Sequence, residues 1–266
     1  MASTTKKFRE FDMKNILARG GIEFVAVLLG ITSSLWIDEN RKARDQNDKQ
    51  VMILEAVYED IIQTENFIKE RRDPAFQLDS TWMDYFADNW DNMNIDSAAI
   101  ALSKNGYDAS FHDTFLDFRE FHPPISSIEL IMQDGSLKEI HNMDIRKKIN
   151  ELVKTDLAFV LKNVQTEIDM QINFRSTLVN QNDPKLAELL SISQLTLKNR
   201  LEDNVDTYED QIEQLKYFLT KDFVRTYINL KNRHRYFVML FIRDFKQTLS
   251  DLKILVEEEL KISSDQ

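Results

Sequence analysis

The hydrophobic positions begin with a run that carries no charge, Phe24 to Ile37 (FVAVLLGITSSLWI). As a helix these 14 residues rise about 21 Å, short of the roughly 30 Å hydrocarbon core of a bilayer. Starting at Ile16 gives 22 residues but admits Arg19 and Glu23. On a 100° wheel Arg19, Glu23, Ala26, Gly30, Ser33 and Ser34 share one face, while Phe24, Val25, Leu28, Leu29, Ile31, Leu35 and Trp36 occupy the others. Ala26, Gly30 and Ser34 repeat every four positions, a spacing that lets helices approach closely in lipid. Charges crowd both flanks (Lys6, Lys7, Arg9 and Lys14 before, Asp38 to Arg44 after), and Trp36 stands at one edge, where interfacial aromatics belong. We therefore expect a transmembrane helix over 16–38. A cleaved signal peptide fits poorly, because Trp36-Ile37-Asp38-Glu39 offers no small-residue cleavage site. Glu23 either pairs with Arg19 four residues earlier or makes a polar contact to another membrane helix.

Beyond this run the period is helical. Val51, Leu54, Tyr58, Ile61, Glu65 and Ile68 follow a three-four spacing, supported by Val57 and Ile62, and Asp38 to Arg72 lacks Gly and Pro. This predicts an amphipathic helix continuing from the membrane segment and stopped by Asp73-Pro74. A helix is expected over about 75–90, then a looser stretch to Ser110, then a short helix to His122 before Pro123-Pro124. Ser126 to Gln133 reads as a short helix capped by Gly135. Asn142 caps the next, with Asp144 in its first turn, and that helix runs to about Asn180. Asp183-Pro184 opens another, and a final helix spans roughly Thr207 to Ser263, with room for a bend. The fold class is all-α: an N-terminal transmembrane helix continuing into a long-helix bundle. The expected organisation is a short cytoplasmic N-terminus (1–15), the membrane helix (16–38) and a bundle domain (39–266) containing an acidic, aromatic-rich subregion (73–122).

Composition agrees with helices. The 266 residues include five Gly, four Pro and no Cys, which excludes disulfides, thiol catalysis and cysteine zinc sites. The net charge of −11 argues against a generic nucleic-acid binder, since phosphate contacts need clustered Lys and Arg. Residues 73–118 hold nine Asp against Lys104 alone, with nine aromatics. Within them Trp82, Asp84, Tyr85, Asp88, Trp90 and Asp91 form a candidate partner surface. Asp84, Asp88 and Asp91 share a helical face that either attracts a hard cation or is simply solvated. Residues 221–246 are basic. That face is solvated, meets lipid head groups or packs against the acidic segment, and we favour the last.

His112, His122, His141 and His234 form no HExxH or Glu-x-x-His pattern, and there is no phosphate loop or GxSxG elbow. No catalytic residue, metal site or cofactor is assigned. Five Lys/Arg (6, 7, 9, 14, 19) precede the uncharged run and four (41, 42, 44, 49) follow it closely, which tips the N-terminus toward the cytoplasm.

Three phrases carry a family likeness: Gly21-Ile22-Glu23 with Val25–Leu35 and Trp36-Ile37-Asp38-Glu39-Asn40; Asp134 to Arg146 (DGSLKEIHNMDIR); and Lys221-Asp222-Phe223-Val224-Arg225. In these the chain resembles an uncharacterised family of small single-pass bacterial inner-membrane proteins with a helical extracytoplasmic domain. The resemblance implies a bacterial inner-membrane location, with the N-terminus cytoplasmic and the bundle periplasmic, and no particular reaction. Three functions are carried forward. The first is a membrane-anchored, non-catalytic scaffold, an accessory subunit whose partners are the lipid bilayer and other membrane-protein subunits or a second copy. The second is a sensory or small-ligand-binding ectodomain acting through a partner. The third is a soluble all-α enzyme or binding module, in which residues 22–37 form a core helix.

Overall fold

The computed structural model describes the backbone of residues 7–103, 111–116, 119–190 and 206–264, with side chains along the first helix described from Val27 onward except at Ala43. Every regular element among these residues is helical. Helix α1 runs unbroken from Lys7 to Phe67, 61 residues, or about 90 Å. Among its described side chains, those of the C-terminal third enter the fold. Burial begins at Gln50 and recurs at Leu54, Val57, Ile61, Thr64 and Ile68, one residue per turn, as an amphipathic helix requires. Val57, expected as a supporting position, is fully buried, and Thr64 takes the place of the expected Glu65 on the buried stripe.

Asp73-Pro74 does not stop the chain. A π turn, Ile68–Arg72, follows α1 and leads directly into α2, Asp73–Asn89. Proline lacks the amide that would bond four residues back and crowds the carbonyl there. The wider turn, in which the Asp73 amide reaches the Ile68 carbonyl, lets the helix pass through Pro74. Helix α3 covers Ile95–Ser103, and a π turn covers His112–Leu116. Of the short helix expected to reach His122, this turn is formed, whereas residues 119–125 are non-helical; His122, before Pro123, is pushed out of the helical region.

Helix α4, Ser126–Asp134, ends at Gly135 with φ +80°, a left-handed cap that a Cβ would strain. Its other end is capped across the fold, where buried Asp60 of α1 accepts from the Ile128 amide at 2.8 Å. A short 3₁₀ turn leads to α5, Met143–Glu151, where the Asn142 side chain accepts from the amides of Asp144 and Ile145. A π turn, Leu152–Leu157, joins α5 to α6, Ala158–Asn180. Helix α7 covers residues 184–190. The expected final helix is two: α8, Asp206–Leu219, and α9, Asp222–Ser264. They part at Thr220-Lys221, whose amides turn back to the carbonyls of Tyr217 and Phe218.

Two hydrophobic cores result. The proximal one joins α1, α4, α5, the first half of α6 and the C-terminal half of α9 around Leu54, Ile61, Ile128, Ile149, Val160 and Phe245. The distal one joins α2, α3, α6, α7, α8 and the start of α9 around Phe86, Leu102, Phe115, Phe174, Phe218 and Ile228.

Candidate functional site

Three helices cross from one core to the other, and each carries charged or amide side chains at the crossing. On α2, Asp79 lies between Phe76 and Met83. On α6, Glu167 and Gln171 lie near Ile168, between Val164 and Phe174. On α9, Lys231 and Arg235 lie between Ile228 and Val238. These side chains meet in one buried layer. Arg235 donates to Asp79 Oδ2 at 3.2 Å and to Glu167, and stacks over the Phe76 ring at 4.8 Å. Arg119 reaches the same Asp79 oxygen at 3.4 Å. Lys231 donates to the Thr114 carbonyl and Arg175 to that of Leu116, which ties the His112–Leu116 turn to the layer. Burial pulls the Arg235 guanidinium down to about 10, opposed by Asp79, so it remains cationic at neutral pH. Burial raises the Tyr227 phenol far above its ordinary value. Its hydroxyl stays protonated and donates to the Phe115 carbonyl at 3.4 Å.

With Asp79 and Arg235 at 0–1% exposure, these charges meet each other rather than solvent. The arrangement fits an ion-pair network that fixes how α2, α6 and α9 align. Its signal in the sequence is a charged residue at a position the apolar stripe assigns to the core. The reading of α2 as an acidic surface passed over Asp79 for that reason.

The proposed partner surface on α2 divides. Trp82 and Trp90 are half-buried against the distal core, with Trp82 stacked on Phe86 at 5.5 Å. Asp84, Tyr85 and Asp88 are exposed. Asp91 pairs with Arg225 at 2.7 Å. Lys246 likewise meets Asp73 at 2.6 Å, so α9 turns much of its basic face toward α2. Among the described residues no group of three or more carboxylates or histidines is placed to hold a metal ion.

The N-terminal half of α1 contrasts with all of this. Arg19, Glu23 and Ala26 lie on the helix, but their side chains fall outside the described residues. From Val27 to Ile37 every large apolar side chain is 52–67% exposed. Gly30, on the same face as Ser33 and Ser34, has nothing from elsewhere in the chain within 4 Å of where a Cβ would stand. The alternative in which residues 22–37 form a core helix is therefore contradicted over 27–37. The expected span over 16–38 is not supported either: among the described residues no helix is long and apolar enough to cross a membrane. The described apolar run reaches only from Val27 to Ile37, with Thr32, Ser33 and Ser34 inside it and Asp38 after it. The apolar side chains lie around most of the circumference, broken by the Gly30/Ser33/Ser34 stripe, and the Thr32 hydroxyl donates to its own helix at the Leu28 carbonyl, 2.7 Å away.

Comparison with protein-family models, with curated proteins and with solved structures returned no match to this chain.

Proposed function

We propose that this chain is a membrane-anchored, non-catalytic scaffold in which the N-terminal half of α1 holds a two-core helical bundle at a lipid bilayer. The observation that carries this reading is the exposed apolar collar Val27–Ile37. A partner protein covers one face of a helix, whereas hydrocarbon covers its circumference, and an uncovered collar of this kind is costly in water. Polar side chains begin abruptly at Asp38, as expected at a membrane surface, with Trp36 at the edge. The span would extend from residue 16 to 38 with Arg19 and Glu23 paired or facing protein. The small stripe of Ala26, Gly30, Ser33 and Ser34 would face another membrane-protein subunit or a second copy, making the chain an accessory subunit of a larger complex. The resemblance to small inner-membrane proteins and the Lys/Arg balance favour a bacterial inner membrane, with the N-terminus cytoplasmic and the bundle periplasmic.

Flotation with phospholipid vesicles tests the reading. The intact chain is expected to rise with the vesicles. The variant L28E/L35E is expected to stay in the dense fraction while keeping its helical circular dichroism. An intact, folded chain that stays in the dense fraction overturns the proposal.

A further inference from the structure

Between the apolar collar and the first buried turn of the bundle lies a polar segment that meets the bundle at its last residue, Lys49. Residues 38–49 (DENRKARDQNDK) are helical, and nearly every described side chain in them is exposed. Ala43 is the one apolar residue, so no face exists on which a second helix could pack. A helix polar all round persists only when its own side chains support it. Here Asp38–Lys42, Arg41–Asp45, Arg44–Asp48 and Asp45–Lys49 are spaced i,i+4 with opposite charges, and two of them place the acid N-terminal, the better order. No Gly, Pro or β-branched residue weakens the run. Because helix continues on both sides, the costly nucleation step is supplied by the neighbours.

The segment ends in a collar of hydrogen bonds. Gln50 is the first buried residue among the described side chains of α1. Its amide donates to Glu259 of α9 at 3.1 Å and accepts from the His141 amide at 3.0 Å. Asn142 donates to the other Glu259 oxygen at 2.9 Å, and Lys49 meets Glu139 at 3.6 Å. The chain segment before α5 and the end of α9 therefore grip α1 together at the point where it leaves the bundle. Further along, Tyr58 donates to Glu257 at 2.9 Å and Lys253 meets Glu65 at 2.7 Å.

We propose that residues 38–49 are a self-supporting helical stalk, clamped by the Gln50–Glu259–Asn142 collar, which holds the bundle at a fixed distance and angle from whatever grips Val27–Ile37. Twelve residues set that distance at about 18 Å. That this is a height above lipid rests on the anchor reading; the stiffness of the stalk does not.

The chain has no cysteine, so paired spin labels on the full-length protein report directly. Positions 37 and 55 are 18 residues apart on one helical face, about 27 Å along the axis. I37C/E55C is expected to give one narrow distance distribution, in vesicles and in detergent alike. Repeating residues 38–44 once should lengthen it by about 10 Å, and replacing 41–48 by alternating Gly and Ser should broaden it. A native distribution as broad as that of the Gly-Ser variant, or no lengthening on insertion, overturns the stalk. A second pair, I37C/M143C, reads the angle. It should be narrow and should broaden in Q50A while I37C/E55C does not change; no broadening in Q50A overturns the collar. If the labels report a stiff stalk but the chain does not float with vesicles, the anchor reading alone fails.

Discussion

At the scale of single residues, the fold depends on a few positions with no equivalent substitute. Gly135 holds φ +80° with open space around it, so Gly135→Ala meets no clash and carries the backbone cost alone. That cost is about 1–2 kcal/mol, to be read as a lowered denaturant midpoint at unchanged slope. Asp183 accepts from the Tyr217 hydroxyl at 2.6 Å and from the Lys185 amide at 3.0 Å. The Tyr217 hydroxyl, more than any other group, holds this carboxyl below the usual aspartate range. A carboxyl lowered on folding adds stability above its unfolded value and loses it as pH falls through the folded one. Tyr217→Phe keeps the ring and removes the donor. It should therefore destabilise the protein at neutral pH, and this difference from the native chain should shrink as pH drops below the aspartate range. Urea titrations of both proteins across that window check it.

At the scale of elements, legibility followed local chemistry. Gly135, the Asn142 cap and Asp183-Pro184 mark helix ends through their own backbone preferences, and each boundary falls where those preferences put it. Pro74 marks no end, because a π turn one step earlier absorbs its missing amide, and nothing in the residue spacing announces that turn. The break at Thr220-Lys221 carries neither Gly nor Pro, so it too is unmarked. The ionic layer was illegible for a different reason: its members come from α2, α6 and α9, far apart in the chain, and only the packing brings them together. The layer also makes a sharp prediction. Arg235→Ala leaves Asp79 and Glu167 buried without their shared cation and should cost about 3–5 kcal/mol. Replacing the three together, D79L/E167L/R235M, should recover most or all of that loss, because a well-packed apolar set is often as stable as a buried ion pair. Chemical denaturation of the single and triple variants reads both. A triple variant no more stable than Arg235→Ala would show that the layer is not a self-contained ion-pair network.

At the scale of the whole molecule, the described chain is a two-core bundle with one helix that leaves it. Arg225, Arg235 and Lys246 on the basic face of α9 pair with Asp91, Asp79 and Asp73, while Asp84, Tyr85 and Asp88 on α2 stay exposed. The long apolar surface that the described bundle does not cover is the collar of α1, and the proposed anchor requires lipid to cover it. Single-cysteine scanning of the full-length chain in vesicles, with a water-soluble maleimide, measures this directly in a protein that has no cysteine of its own. Labels at 28, 31 and 35 should be protected, and labels at 40 and 45 should react freely, with the boundary at Trp36. Equal reactivity at all five positions would contradict the membrane anchor.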